Sequence, residues 1–91
     1  MLLVRIPAPL RSFTKGSAQV HAEGHTIAEL VDDLERQFPG VRGRLVDEAG
    51  ALRPFVGIYV NDENTRYLDG IKTLVKGGDE VSIMAAISGG A

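Results

Sequence analysis

Cysteine is absent from the 91 residues. That excludes disulfides, thiolate metal sites and a thiol nucleophile of the chain's own. Positive charge is not in surplus either: 10 Lys and Arg stand against 12 Asp and Glu, a formal net charge of −2. Nucleic-acid binding calls for a clustered basic face, so no nucleic-acid partner is expected. No apolar run approaches the roughly 18–20 residues of a membrane span, and no membrane partner is expected. Met1-Leu2-Leu3-Val4-Arg5-Ile6-Pro7 lacks the basic leader and apolar length of a signal peptide and reads as a first strand. The expected compartment is the cytoplasm. With 44% hydrophobic and 24% charged residues, the chain has too much apolar content for disorder and room for a single core, so one domain is expected over 1–91.

Period-two alternation marks the strands. Leu2, Val4 and Ile6 oppose Leu3 and Arg5, until Pro7-Ala8-Pro9 ends the pairing because proline donates no ladder hydrogen bond. Arg11 to Ser17, which carries Lys15-Gly16-Ser17, is expected to be a hairpin turn or short loop, and Ala18 to Ala22 a second strand with Val20 inward. In Phe55 to Asn61, Val56, Ile58 and Val60 share one face and Phe55 and Tyr59 the other. Asn61-Asp62-Glu63-Asn64 turns the chain, Thr65 to Leu68 is expected to pair briefly, and Ile71 to Val75 to form one helical turn. The turn Gly77-Gly78-Asp79 then opens a last strand in which Val81 and Ile83 oppose Ser82 and Met84.

Between these lies a helix. Thr26-x-x-Glu29 is a capping box, and Ile27, Leu30, Val31, Leu34 and Phe38 build one apolar stripe, with Asp32, Asp33, Glu35 and Arg36 opposite. Pro39-Gly40 stops it, and Val41 to Val46 adds a short helical turn with Val41 and Leu45 inward. One helix cannot offset its own ordering entropy, so it needs a sheet beneath it. Strand, strand, helix, strand, short strand, strand is an α+β order. It predicts a mixed sheet of four to five strands with one main helix packed across one face, and the first and last strands adjacent and parallel at the centre. That is the β-grasp, or ubiquitin-like, fold. The predicted core is Val4, Ile6, Ile27, Leu30, Val31, Leu34, Val56, Ile58, Val81 and Ile83.

The chain then loses structure-forming character at Ser88-Gly89-Gly90, so 88–91 is expected to be a thin flexible tail suited to insertion into a partner. The segment Phe55-Val56-Gly57-Ile58-Tyr59-Val60-Asn61-Asp62-Glu63, then Gly78-Asp79-Glu80-Val81-Ser82-Ile83 and the late Gly89-Gly90, resembles the ThiS/MoaD ubiquitin-like sulfur carriers. The resemblance spans nearly the whole chain, including Ala8-Pro9-Leu10-Arg11 after the first strand. It looks nearest to the MoaD-like branch that includes the CysO-type cysteine-synthesis carrier, since the tract from Val41 to Arg53 is longer than a compact thiamin-type carrier needs.

The resemblance implies a protein co-substrate rather than an enzyme. An adenylating, E1-like partner would use ATP to convert the Gly90 carboxylate into an acyl-adenylate, and a sulfur donor would displace AMP to leave a thiocarboxylate. Adenylation removes the charge that repels nucleophiles and supplies a leaving group. Gly89 would give the tail access to a narrow channel, having no Cβ to clash. The carrier would bind no cofactor itself, ATP being used by the partner. The sulfur-accepting enzyme would be the molybdopterin synthase large subunit, with this chain as the small subunit, or a cysteine synthase. Two departures stand out: Ala91 follows the glycine pair, and Ala85-Ala86 replace the family's prolines. Either a tail-trimming metallopeptidase removes Ala91, or that residue is foreign to the natural chain, or this member carries no sulfur. The alternative is a ubiquitin-like binding module with an inert Gly-Gly.

Leu3, Phe55, Tyr59 and Met84 are expected to form a partner-binding patch on the sheet face away from the helix, with Ile87 extending it; small subunits resembling this chain insert a bulky residue at the position of Met84. His21 and His25 lack a ligand cluster and read as surface or capping histidines. Asp32, Asp33 and Glu35 read as a solvated helix face. Gly77-Gly78-Asp79 is no phosphate loop, because no helix N-terminus follows it.

Overall fold

The structure, a computed structural model, describes residues 1–85. The expectations for Ile87, Gly89, Gly90 and Ala91, and for the tail as a whole, fall outside those residues. Strands β1 (Leu2–Arg5), β2 (Gln19–Ala22), β3 (Val56–Val60), β4 (Glu63–Asn64) and β5 (Glu80–Ala85) form one mixed sheet in the order β2-β1-β5-β3-β4. β1 and β5 are parallel, with Val4 opposite Val81, and every other pair is antiparallel. Helix α1 (Ile27–Gln37) covers one face and the short α2 (Arg42–Leu45) follows it. This is the expected β-grasp arrangement, and all ten expected core residues are buried, Leu30 to 1% exposure. Leu2, Leu10, Val20, Ala22, Val41, Leu45, Val46, Val60 and Val75 complete the same cluster.

Local chemistry explains the boundaries. The Thr26 hydroxyl accepts from the Glu29 N–H at 3.2 Å, and Glu29 Oε1 accepts from the His25 N–H at 2.8 Å, so the box closes one residue early. Glu35 accepts from the N–H groups of Gly40 (3.0 Å) and Arg42 (2.9 Å), fixing the turn from α1 into α2. These two N–H groups, Gly40 first, hold the Glu35 carboxyl below its usual range.

The structure departs from expectation in three places. The tract after β1 is not a loop: Ala8–Thr14 is a seven-residue 3-10 helix that buries Leu10 and Thr14. Its prolines preset φ, the Arg11 Nε donates to the Ile6 carbonyl at 3.1 Å, and Lys15 and Gly16 reverse the chain with φ of 57° and 84°. Second, Thr65 to Leu68 does not pair. Asn61 and Asp62 both take positive φ, 49° and 72°, the signature of a two-residue hairpin turn that sets Val60 opposite Glu63. The Asn64 side chain then accepts from the Arg66 N–H at 2.9 Å and coils Thr65–Tyr67 into a 3-10 turn.

Third, Asp33 is not solvated. It is 8% exposed, on the flank of α1 that meets the end of β2. Its Oδ2 accepts from the Glu23 N–H (3.0 Å) and the Gln37 side chain (2.9 Å), and Oδ1 accepts from Arg36. Gln37 also donates to the His21 carbonyl at 2.9 Å, so the outer side of β2 is tied to the helix. The Glu23 N–H above all, then Gln37 and Arg36, hold the Asp33 carboxyl below its ordinary 3.8, against the opposing effect of burial.

A carboxyl with a depressed folded-state pKa stabilises the fold fully above the unfolded value and loses that contribution as pH falls through the folded one. Asp33→Ala is therefore expected to cost about 1–3 kcal/mol at neutral pH, by leaving the Glu23 N–H without its partner. The gap between the two proteins should close as pH falls below 3.8. Urea unfolding of both proteins from pH 7 to pH 2 checks this; a constant gap would contradict it.

Candidate functional site

The candidate site lies where β5 ends. Along β5, Val81 and Ile83 point into the core while Ser82 and Met84 face away from α1. Met84 lies opposite Gly57 of β3 and Ser82 opposite Tyr59, so β3 and β5 together shape the open face. Met84 is 57% exposed and Phe55, just before β3, 54% exposed. Pro54, Phe55, Gly57, Tyr59, Arg66 and Met84 line one shallow depression beside Ala85. Phe55, Tyr59 and Met84 are thus brought together as the alternation predicts.

Leu3 shares their face but not their neighbourhood. It lies opposite His21 on one side and Glu80 on the other, at the far end of β5 from Met84. Four residues of strand, roughly 13 Å, separate the two positions along β5. Period-two alternation gives the face of a side chain, whereas neighbourhood depends on register between strands that are distant in sequence.

Two contributors have weak sequence signals. Gly57 interrupts a β-branched run, and a Cβ built there would come within 3.3 Å of Tyr59 Cε1. The bare glycine lets the Tyr59 ring lie back along its own strand, with the hydroxyl 3.4 Å from the Asn64 amide. Arg66 braces the start of β3: its Nη2 donates to the carbonyls of Arg53 and Val56, each at 2.8 Å, on either side of Phe55. A glycine inside a strand is a legible flag of close approach. Nothing local in the sequence marks Arg66 as a brace.

His21 and His25 are exposed at the opposite end, as surface residues. Asn61 and Asp79 lock that end: the Asn61 amide donates to Asp79 Oδ1 at 3.0 Å, and the Asp79 carboxyl is held below its usual range by this bond and by the Lys76 N–H. Among the described residues no group of three or more His, Asp or Glu is placed to hold a metal ion, and no helix is long and apolar enough to cross a membrane.

A β-grasp sheet whose central strand β5 is followed in the sequence by Gly89-Gly90 is the architecture of the small ubiquitin-like proteins. Comparison with known proteins agrees: the chain belongs to the ThiS family, which it matches over residues 4–90. It is 43% identical over 89 residues to the sulfur carrier protein CysO of Mycobacterium tuberculosis, covering 96% of each chain. A putative sulfur carrier protein of Archaeoglobus fulgidus is 37% identical over 87 residues, again covering 96% of each. Among solved structures, that of the Amycolatopsis orientalis BexX/CysO complex superposes with a TM-score of 0.92 at 40% identity, covering 98% of this chain and 99% of that one.

If Gly57 is kept bare by the Tyr59 ring, Gly57→Val should displace that ring while changing stability by no more than about 1 kcal/mol, the span of strand propensities. The check is the NOE between Gly57 Hα and the Tyr59 ring in the wild type, against the ring-proton shifts in the variant. Unmoved ring shifts would show that the glycine serves no such purpose.

Proposed function

We propose that this chain is a CysO-like sulfur carrier whose Gly90 carboxylate, once freed, is adenylated and converted to a thiocarboxylate by a partner enzyme. The observation that carries the reading is the match to carriers of this type along nearly the whole of both chains. The placement of β5 supports it, since the strand that precedes Gly89-Gly90 in the sequence is held between β1 and β3.

The chemistry divides between two proteins. The partner's ATP supplies the activation: the Gly90 carboxylate attacks the α-phosphate, pyrophosphate leaves, and sulfide sulfur then displaces AMP at the acyl carbon. The carrier supplies presentation, through a rigid domain, a docking face and a glycine pair that offers no Cβ to the channel. An ATP-consuming activation sets the reaction in the cytoplasm. CysO of Amycolatopsis orientalis has been crystallised in complex with BexX, which supports a docking partner for this chain too. The CysO resemblance favours cysteine synthesis as the recipient of the sulfur over molybdopterin synthesis.

Ala91 sits in the way of this chemistry. While it is attached, the Gly90 carbonyl belongs to an amide, which does not exchange with sulfide at useful rates. We assign its removal to a metal-dependent peptidase. The full-length chain should be silent in ATP–pyrophosphate exchange with the cognate activating enzyme, and a chain ending at Gly90 should be active. Equal exchange by both chains would show that Ala91 is tolerated. Exchange by neither, with an enzyme proven on another carrier, would favour the inert binding module.

The docking face is expected to be Phe55, Tyr59 and Met84, with Ile87 beyond it. Met84→Asp should weaken binding to the activating enzyme by about tenfold or more, because it places a charge in an apolar contact. The melting temperature should hold, since Met84 is exposed. Unchanged affinity in isothermal titration would reject the patch.

A further inference from the structure

A second depression opens on the other side of Phe55, and its lining differs from that of the sheet face. It is a groove of about 790 Å³ between the Ala8–Thr14 helix, the α2 region and the start of β3. Pro9, Phe13 and Phe55 give it apolar walls, Arg44 and Arg53 line it, and Ala85 closes one side at the last described residue of β5. Among the described residues, none that lines it carries a carboxylate.

Both arginines are positioned, and neither has a counter-charge among the described residues. The Arg44 guanidinium lies 5.5 Å from the centroid of the Phe13 ring. Phe13 in turn lies against Gly40, where φ is +103° and an added Cβ would meet the ring at 3.0 Å. The Arg53 Nε donates to the Gly43 carbonyl at 2.7 Å, and its two terminal nitrogens have no hydrogen-bond partner among the described residues. Arg5, Arg36 and Arg42 are spent in ion pairs with Glu80, Asp33 and Asp32, whereas neither Arg44 nor Arg53 joins one among the described residues. Acidic residues collect elsewhere. Asp62, Glu63, Asp79 and Glu80 lie around the opposite end of β3 and β5, roughly one strand length away. The chain is acidic overall and basic where β5 ends.

We propose that this groove docks a short acidic segment, bearing one apolar side chain, of the protein that receives the tail. The two guanidinium groups take its carboxylates, and the Phe13–Phe55 walls take the apolar side chain. Because Phe55 and Ala85 border both depressions, a partner seated on the sheet face reaches the groove without a gap. Charge complementarity selects the occupant: an all-apolar segment would leave two arginines desolvated without a counter-charge. This deepens the carrier reading by giving the partner a second, charge-selective contact. Its test uses neither ATP nor tail activation, so the failure of one does not mimic the failure of the other.

The test is an NMR titration of the 15N-labelled full chain with a capped hexapeptide in which glutamates flank a leucine. The same peptide with glutamines serves as the control. The expected result is millimolar or tighter binding, with Kd up to about 2 mM, shifting the amides of Ser12, Phe13, Gly43, Arg44 and Phe55. Affinity should fall about tenfold in Arg44→Gln/Arg53→Gln, fall with added salt, and recover in large part in Arg44→Lys/Arg53→Lys. Arg44→Gln alone breaks no side-chain hydrogen bond among the described residues and is the variant to use if the double variant does not fold. Three results would overturn the proposal: no shift at about 10 mM peptide, equal binding of the glutamine peptide, or shifts centred on Tyr59 and Met84. A fourth is a shift of the Ile87 to Ala91 amides on mutating the arginines without peptide, which would make the chain's own tail the occupant.

Discussion

The parallel pairing of β1 with β5 is the contact on which the rest of the molecule depends. It joins segments so distant in sequence that the Arg5–Glu80 pair across it spans 75 positions. Closing a loop of that length costs about 4 kcal/mol in chain entropy before any contact repays it. The exposed Arg5–Glu80 ion pair does not repay it, because solvent screens such pairs. Val4 and Val81, both fully buried, contribute about 1.5–3 kcal/mol each, which only just offsets the closure. The pairing therefore holds only with α1 laid across it, and α1 holds only with the sheet beneath it. That mutual dependence makes the domain one cooperative unit and fixes the last described strand at its centre.

What the sequence made legible follows from how local each signal is. Alternation in Leu2 to Ile6, Val56 to Val60 and Val81 to Met84 gave the inward faces correctly, because a residue's face depends only on its neighbours in the chain. The Thr26 cap and the stripe from Ile27 to Leu34 gave α1 for the same reason. Leu3 was placed on the right face and in the wrong company, since its neighbours are decided by pairing with Glu80 and His21. Asp33 looks solvated on a helical wheel, which does not show that β2 ends against that flank. Pro7-Ala8-Pro9 announced the end of pairing but not the 3-10 helix, which is held by the burial of Leu10 and Thr14 and by Arg11 reaching back to Ile6.

The working end illustrates the same division. A glycine pair near a chain end and a run such as Gly78-Asp79-Glu80-Val81 are readable as a family pattern, and the match over residues 4–90 bears that reading out. Arg44 and Arg53 line one depression and Arg66 the other, and only folding brings these three segments around Phe55. No spacing rule connects them. Around the end of β5 the fold assembles an apolar ridge at Phe55 with Met84 and Tyr59 on one flank and two arginines on the other. For the proposed carrier role, such a platform matters more than reactive side chains.

The treatment of the sheet's margins has a further consequence. β2 and β4 are only four and two residues long, the His21 carbonyl is taken by Gln37, and the Val56 carbonyl, beyond the reach of β4, is taken by Arg66. Margins so short and so occupied give an incoming extended peptide little backbone to zip onto. Fibrous stacking of one copy on another through those margins is discouraged by the same bonds. Docking on this domain is thereby steered toward its broad faces, where shape and charge rather than strand pairing select what binds.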